Sequence, residues 1–488
     1  MLVFDFIVLT FINDMCLKKL SFQDTIESLP SLWPEDLLPL INQEIKRSEK
    51  KIFLMDDDPT GSQTVRNVAM LSDWSVESLK KELDSDELAT FIQVNTRAYP
   101  ENEVKNIIKE VTSNILEATS RSLKDPVVIF RSDSTLRGHF PLEMDVFSDT
   151  VRSINNETYD ALIFIPFFIQ GRRYTFNDVQ YTLEDNTLIP VGDTSFSNDP
   201  AFSYKSSNLK KWMEEKYKGK IKAEDVVSIS IEDIRLGGPQ RVEEILKSLN
   251  NQTICIVNAM DMTDLHVFTL GLLRAERKGS KFSYRTAASF VKARIGQSEY
   301  PFLTRDEIVN HNSNGALLIV GSHVPGTTLQ LNKLIKSTDI NPIELNVHKI
   351  LNGNYEEKLI IKQIDESLCN GEDVVLYTSR EVVVGNSPEE YLVIGKKITN
   401  SIVNIVKNIS AEPSYILSKG GMTSSSVTKE ALNIRRATIP GQIFSGVLVM
   451  KMEQASKYPG AHLVLFPGNV GDEDAILNVY TQLSPKTV

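Results

Sequence analysis

The sequence predicts an α/β protein made of two α/β domains with mainly parallel sheets and an interdomain cleft. Three observations carry this. Short β-like runs alternate with helix-period segments along almost the whole length, which is the pattern of α/β domains. At 488 residues the chain is too long for one hydrophobic core. A polar, loop-rich stretch from Gly296 to Gly315 interrupts the pattern before it restarts. The expected division is a 1–50 N-terminal extension, a 51–300 domain and a 310–488 domain.

The first domain opens on Lys51–Met55, an apolar run stopped by Pro59-Thr60-Gly61-Ser62. Further strands are expected at Phe91–Val94, Val127–Phe130, Leu162–Ile165, Val226–Ile229 and Ile254–Val257. Between the first two of these, Val104, Ile107, Ile108, Val111, Ile115 and Ala118 share one helical face. The second domain repeats the pattern with strands at Ala316–Val320, Val374–Tyr377, Tyr415–Leu417 and Leu463–Phe466, and a helical run at Ile402–Ile409. No internal repeat or low-complexity tract occurs.

Composition narrows the partners. The formal charge of −11 argues against general nucleic-acid binding, which needs a basic face. Cys16, Cys255 and Cys369 lie far apart without a CxxC pair, so unpaired thiols and a cytoplasmic address are expected. Met1–Cys16 is apolar but short, lacks a basic start and is interrupted by Asp5, Asn13 and Asp14, so no membrane span is expected.

Chemistry concentrates where strands end. Asp56, Asp57 and Asp58 follow the first strand, and their burial would be costly without a cation or a hydroxyl-rich ligand. A solvated acidic turn is the alternative. After the Val127–Phe130 strand, Arg131-Ser132-Asp133-Ser134-Thr135-Leu136-Arg137-Gly138 offers two guanidinium groups, a carboxylate and three hydroxyls. Arginine pairs with carboxylate or phosphate, while Asp and Ser/Thr suit sugar hydroxyls, so a polyhydroxy acid would use them together. A loop capping the next helix is the competing reading. Arg172-Arg173-Tyr174-Thr175 adds a third basic turn. In the second domain, Gly321-Ser322, Lys419-Gly420-Gly421-Met422-Thr423 and Gly468-Asn469-Val470-Gly471 follow strands and precede helices. Such turns let backbone N–H groups approach phosphate, and three in one domain favour a nucleotide site. None is a Walker A loop, and no metal-ligand spacing is found among the six histidines.

Together these residues resemble the four-carbon acid sugar kinase family, two-domain ATP-dependent enzymes that phosphorylate small sugar acids such as threonate and erythronate. The likeness runs from about Lys51 to the C-terminus. It rests on Asp57-Asp58-Pro59-Thr60-Gly61, the run Asp133–Gly138, the Arg172–Thr175 turn and the three glycine turns. The triple-Asp start and long N-terminus mark a longer subgroup, and Met422 and Phe466 stand where many members have an acid and a lysine.

The resemblance implies that the first domain binds the sugar acid and the second binds ATP. It assigns Asp57, Asp56 and Asp133 to catalysis, with Asp57 the expected base. Asp58, Thr60, Arg131, Ser134, Arg137 and Arg173 would bind substrate, Arg137 clamping its carboxylate. Ser322, Gly420, Gly421, Thr423, Gly468 and Asn469 would line the ATP site. Mg²⁺ would ride on the phosphates, with no protein metal site. The expected partner is a small-molecule sugar acid, not nucleic acid or membrane, and a homodimer is one assembly left open. Two rivals stand beside this. Asp56-x-Asp58-x-Thr60 also fits a haloacid-dehalogenase-type phosphatase with Asp56 as nucleophile. A catalytically inactive sugar-acid or nucleotide sensor would account for Met422 and Phe466.

Overall fold

Strands that are buried on both faces read as continuous apolar runs, and those runs form the parallel strands of both units. The computed structural model describes residues 18–58, 64–310, 312–322, 324–381, 383, 388–468 and 470–484, with the side chains of 388–392 and Met422 outside that description. The described residues fall into two compact α/β units. The first takes them from Met1–Asp58, Ser75–Ala89 and Val94–Ser298; the second takes them from Pro59–Trp74, Thr90–Gln93 and Glu299–Val488.

In the first unit six parallel strands lie in the order Val227–Ile229, Thr253–Val257, Ala161–Ile165, Phe282–Thr286, Pro126–Arg131, Lys51–Asp56. Helices supply the crossovers. Glu101–Ser120 buries Val104, Ile108, Val111, Ile115 and Ala118, the face that the 3.6-residue period marks. A separate antiparallel sheet joins Leu20–Ser21, Thr187–Pro190, Val179–Glu184 and Arg173–Phe176. It places Arg173 on a strand, where the sequence reads as a loop. The helix Leu38–Ser48 buries Ile41 and Ile45 in this unit, and Asn42 Nδ2 donates to the Gly296 carbonyl at 3.1 Å. Thus the described part of the expected N-terminal extension packs into the first unit; Met1–Cys16 lies outside the described residues.

The second unit is mixed. Asn341–Leu345, Val374–Thr378, Leu317–Val320, Ile416–Lys419 and His462–Phe466 are parallel neighbours in that order. The Val447–Met452 and Arg436–Phe444 strands continue it antiparallel, followed by Val68–Leu71. Its core includes Leu318, Val320, Val375, Leu417, Val464, Phe466, Val479 and Leu483.

One buried carboxylate ties this unit together at the strands' start. Asp373 Oδ1 accepts the Ala316 N–H at 2.7 Å, and Oδ2 accepts the Tyr480 hydroxyl at 2.7 Å and the Ser484 hydroxyl at 3.3 Å. Removing an acceptor strands buried donors, at about 1–3 kcal/mol each. Asp373→Ala is therefore expected to lower stability by about 2–4 kcal/mol in urea unfolding. An unchanged midpoint would show that these bonds contribute nothing net.

Candidate active site

Asp56 and Arg131 end adjacent parallel strands and stand opposite each other in the ladder. The register sets Arg131 Nη1 3.1 Å from Asp56 Oδ1 and 3.6 Å from Asp57 Oδ1. The Asp56 carbonyl accepts the N–H groups of Val94 and Asn95 at 3.1 and 3.0 Å. Asn95, at φ 51°, turns the backbone into the short helix Thr96–Ala98, which brings in Arg97. Its guanidinium lies 3.3 Å from Asp57 Oδ2, 2.6 Å from Asp58 Oδ2 and 4.0 Å from Asp133 Oδ1.

Asp133 sits in a turn that closes on itself. It accepts Arg137 Nε at 2.9 Å and also the Thr135 hydroxyl. Arg137 Nη1 is 3.6 Å from Asp199 Oδ2, and the Arg137 and Arg173 guanidinium groups both lie over the Phe196 ring, at 5.2 and 5.3 Å. Behind the cluster, Arg285 Nη1 pairs with Glu143 Oε2 at 2.6 Å, and the Thr96 hydroxyl donates to Glu143 Oε1 at 2.5 Å. Gly138 is required where it stands. Its φ is +116°, and a Cβ there would lie 3.0 Å from Arg285 Nη2 and 3.4 Å from Asp57 Oδ2.

These charges differ in how well they are met. Burial pushes Asp56 up to about 7, against the pull of Arg131, and the neighbouring Asp57 and Asp58 add to the rise. Burial likewise pushes Asp57 up to about 6, although Arg97 and Arg131 oppose it. Burial acts on Asp133 too, but Arg97 and the hydrogen bond from Arg137 outweigh it and hold that carboxyl at about 2. Several buried polar atoms have no hydrogen-bond partner among the described residues: both Asp57 oxygens, Asn95 Oδ1, Ser132 Oγ, Thr286 Oγ1, and the Nε atoms of Arg97, Arg131 and Arg173. Buried polar groups are normally paired, so a polar ligand at this cluster would find donors and acceptors to meet.

Asp56, Asp57, Asp58, Arg131, Asp133, Ser134, Arg137 and Arg173 thus fall in one neighbourhood of the first unit, while Thr60 lies outside the described residues. Arg97, Glu143 and Arg285 escape sequence reading. Arg97 is some 40 residues from its acidic partners, and only the helix-start Pro100 and turn-forming Asn95 mark its surroundings.

In the second unit the three glycine turns meet. A Cβ on Gly321 would come 2.2 Å from Thr423 Oγ1, one on Gly420 3.0 Å from Ser322 Cβ, and one on Gly468 3.2 Å from Ser322 Oγ. Thr327 Oγ1 ties the set by donating to the Gly468 carbonyl at 3.1 Å. Gly421 differs: a Cβ there meets no described residue within 4 Å, so its backbone borders open space among them. Arg380, also missed in the sequence, locks the first turn by donating to the Ser322 carbonyl at 2.7 Å and the Thr378 carbonyl at 2.7 Å. Ser322, Gly420, Gly421, Thr423 and Gly468 are therefore gathered, and Asn469 lies outside the described residues.

The raised Asp57 has a consequence for stability. Its folded-state value lies above that of the unfolded chain, so ionising it costs the native state. Its contribution is fully present below about pH 4 and is lost as pH rises through about 6. Asp57→Asn cannot ionise. The Tm of the variant minus that of the wild type is expected to rise between pH 4.5 and 7.5 in calorimetric scans; a constant difference would place Asp57 in a solvated setting.

The profile of a sugar-binding N-terminal domain matches residues 52–294, and that of a nucleotide-binding C-terminal domain matches residues 317–476. Among solved structures, Haemophilus influenzae protein HI1011, of family DUF1537, is 19% identical over 88% of this chain and 100% of its own, with a TM-score of 0.63. A Salmonella typhimurium LT2 protein described as a candidate tRNA synthase is 14% identical over 89% of this chain and 99% of its own, with a TM-score of 0.66. At such identities the likeness is one of fold. No curated protein gives a significant match. The acid–arginine cluster lies within the sugar-binding match and the glycine turns within the nucleotide-binding match: the chain belongs to the four-carbon acid sugar kinase family.

Proposed function

We propose that this protein is an ATP-dependent kinase that phosphorylates a hydroxyl of a small sugar acid of the threonate or erythronate type. The observation that carries this is the buried Asp57 carboxylate, which has no hydrogen-bond donor among the described residues and lies among arginines in the sugar-binding domain. A base must be ionised near neutrality yet retain basicity, and a value near 6 meets both needs. Asp57 accepts the proton of the attacking hydroxyl, and Arg97 and Arg131 hold it in place. Asp56 is turned toward Arg131 and the Asp58 N–H, so it braces the turn. Asp133, kept ionised by Arg97 and Arg137, receives a second sugar hydroxyl. Arg137 is already engaged with Asp133, whereas Arg173 has no carboxylate within ion-pair distance among the described residues. The substrate carboxylate therefore falls to Arg173 and the remaining donors of Arg137.

The meeting of three glycine turns, with open space at Gly421, fits the phosphates of a nucleotide. Ser322, Gly420, Gly421, Thr423 and Gly468 would hold ATP, which supplies the γ-phosphoryl group, with Mg²⁺ carried on its phosphates. Among the described residues no cluster of His, Cys, Asp or Glu is built to hold a metal on its own, and no helix is long and apolar enough to cross a membrane.

A coupled assay of ADP release across a panel of sugar acids tests the reading. ADP formation that depends on one of them is expected, and Asp57→Asn should reduce kcat by about 10²- to 10⁴-fold while ATP still binds. Phosphate release from sugar phosphates without nucleotide, with a phosphorylated Asp56 in mass spectra, would replace the kinase by a phosphatase.

Gly421→Val tests the nucleotide turn separately. A Cβ there meets no described residue within 4 Å, so loss of nucleotide binding in a folded variant would report blocked backbone approach. Binding of an ATP analogue at wild-type strength would make the turn a simple strand–helix connection.

A further inference from the structure

Lys419 closes the Ile416–Lys419 strand immediately before the Gly420-Gly421 turn, and its side chain is wholly buried. Its partners in the ladder are Val320 on one side and Phe466 on the other. Nζ donates to the Pro467 carbonyl at 2.9 Å and lies 4.0 Å from the centre of the Phe466 ring. An ammonium has three donors, and one is met here among the described residues. Both contacts favour the charged form, and burial with no carboxylate partner among the described residues opposes it. No carboxylate forms an ion pair with it among the described residues, and no titratable side chain faces it from the flanking strands or from Pro467. Arg380, the charged side chain anchored at these turns, is spent on the carbonyls of Val320, Ser322 and Thr378.

The place of this amine matters as much as its burial. Lys419 precedes Gly420, and its acceptor Pro467 precedes Gly468, so Nζ bridges two of the three turns that meet at Ser322. We propose that Lys419 is a proton-linked charge partner of the nucleotide site, neutral while the turns are empty and protonated when a polyphosphate binds over them. The uptake is one proton from solvent, –NH₂ becoming –NH₃⁺, with no other co-reactant. In a low-dielectric setting phosphate charge acts strongly on a nearby amine and favours its cationic form. Burial alone pushes this amine down to about 7, so at pH 8 it is mostly neutral before binding.

The inference rests on the nucleotide reading of the turns, and calorimetry distinguishes the two. Mg²⁺ with the slowly hydrolysed analogue ATPγS is titrated into the full chain at pH 8 in HEPES and in Tris, whose ionisation enthalpies differ. The expected result is a buffer-dependent enthalpy corresponding to uptake of most of one proton, shrinking at pH 6, where Lys419 is already charged. Lys419→Met is expected to abolish the uptake and weaken binding about tenfold, the loss of one charge-assisted contact. Equal enthalpies in both buffers at pH 8, or unchanged uptake in Lys419→Met, would overturn the role of Lys419 and leave the nucleotide site standing. No binding heat from the wild type in either buffer would overturn both. The wild-type comparison decides the matter even if the variant does not fold.

Discussion

The pairing of Asp56 with Arg131 fixes the geometry on which the sugar-binding unit depends. It is set by strand register, because both residues end neighbouring parallel strands and lie opposite each other. Once that pair is in place, Asp57 is carried into the same buried space and Arg97 closes it from another turn. Parallel α/β sheets put ligands at the carboxyl ends of their strands, and the cluster lies there. The arginines keep the acids buried but, among the described residues, leave Asp57 without a hydrogen bond. That residual cost is what a hydroxyl-bearing ligand relieves, since its O–H groups donate where the protein does not.

The nucleotide-binding unit solves a different problem, namely bringing three backbone turns within contact of one another. Gly321 is there because Thr423 leaves no room for a side chain, and Gly420 because its φ of +116° suits no L-residue. At the Gly420-Gly421 turn, a Cβ on Gly421 would meet no described residue within 4 Å. Charge is sparse at these turns. Arg380 is committed to carbonyls, and Lys419 is buried beside Phe466.

Much of this was legible in the sequence where a single segment carries the signal. The apolar run before Asp56, the helical face from Val104 to Ala118 and the strand–glycine–helix turns each declare themselves within about a dozen residues. What was hidden depends on distance along the chain. Arg97 and Arg285 meet the acids only after the sheet has formed, and Arg285 sits in a strand, Phe282–Thr286, whose polar residues mask its burial. The Arg436–Phe444 strand contains Pro440 and Gly441, which read as breakers, although its buried and half-buried positions alternate with period two. Arg137, expected to clamp a carboxylate, also bonds Asp133 through Nε, a contact set by the turn that carries both.

The central claim is that the acid–arginine cluster is the seat of a polyhydroxy acid. Its most direct measurement is calorimetric titration of the nucleotide-free protein with threonate and erythronate, beside Arg173→Met. Saturable binding of at least one acid, strongly weakened in the variant, is the expected result. Absence of binding by either acid, or binding that Arg173→Met leaves unchanged, would contradict it.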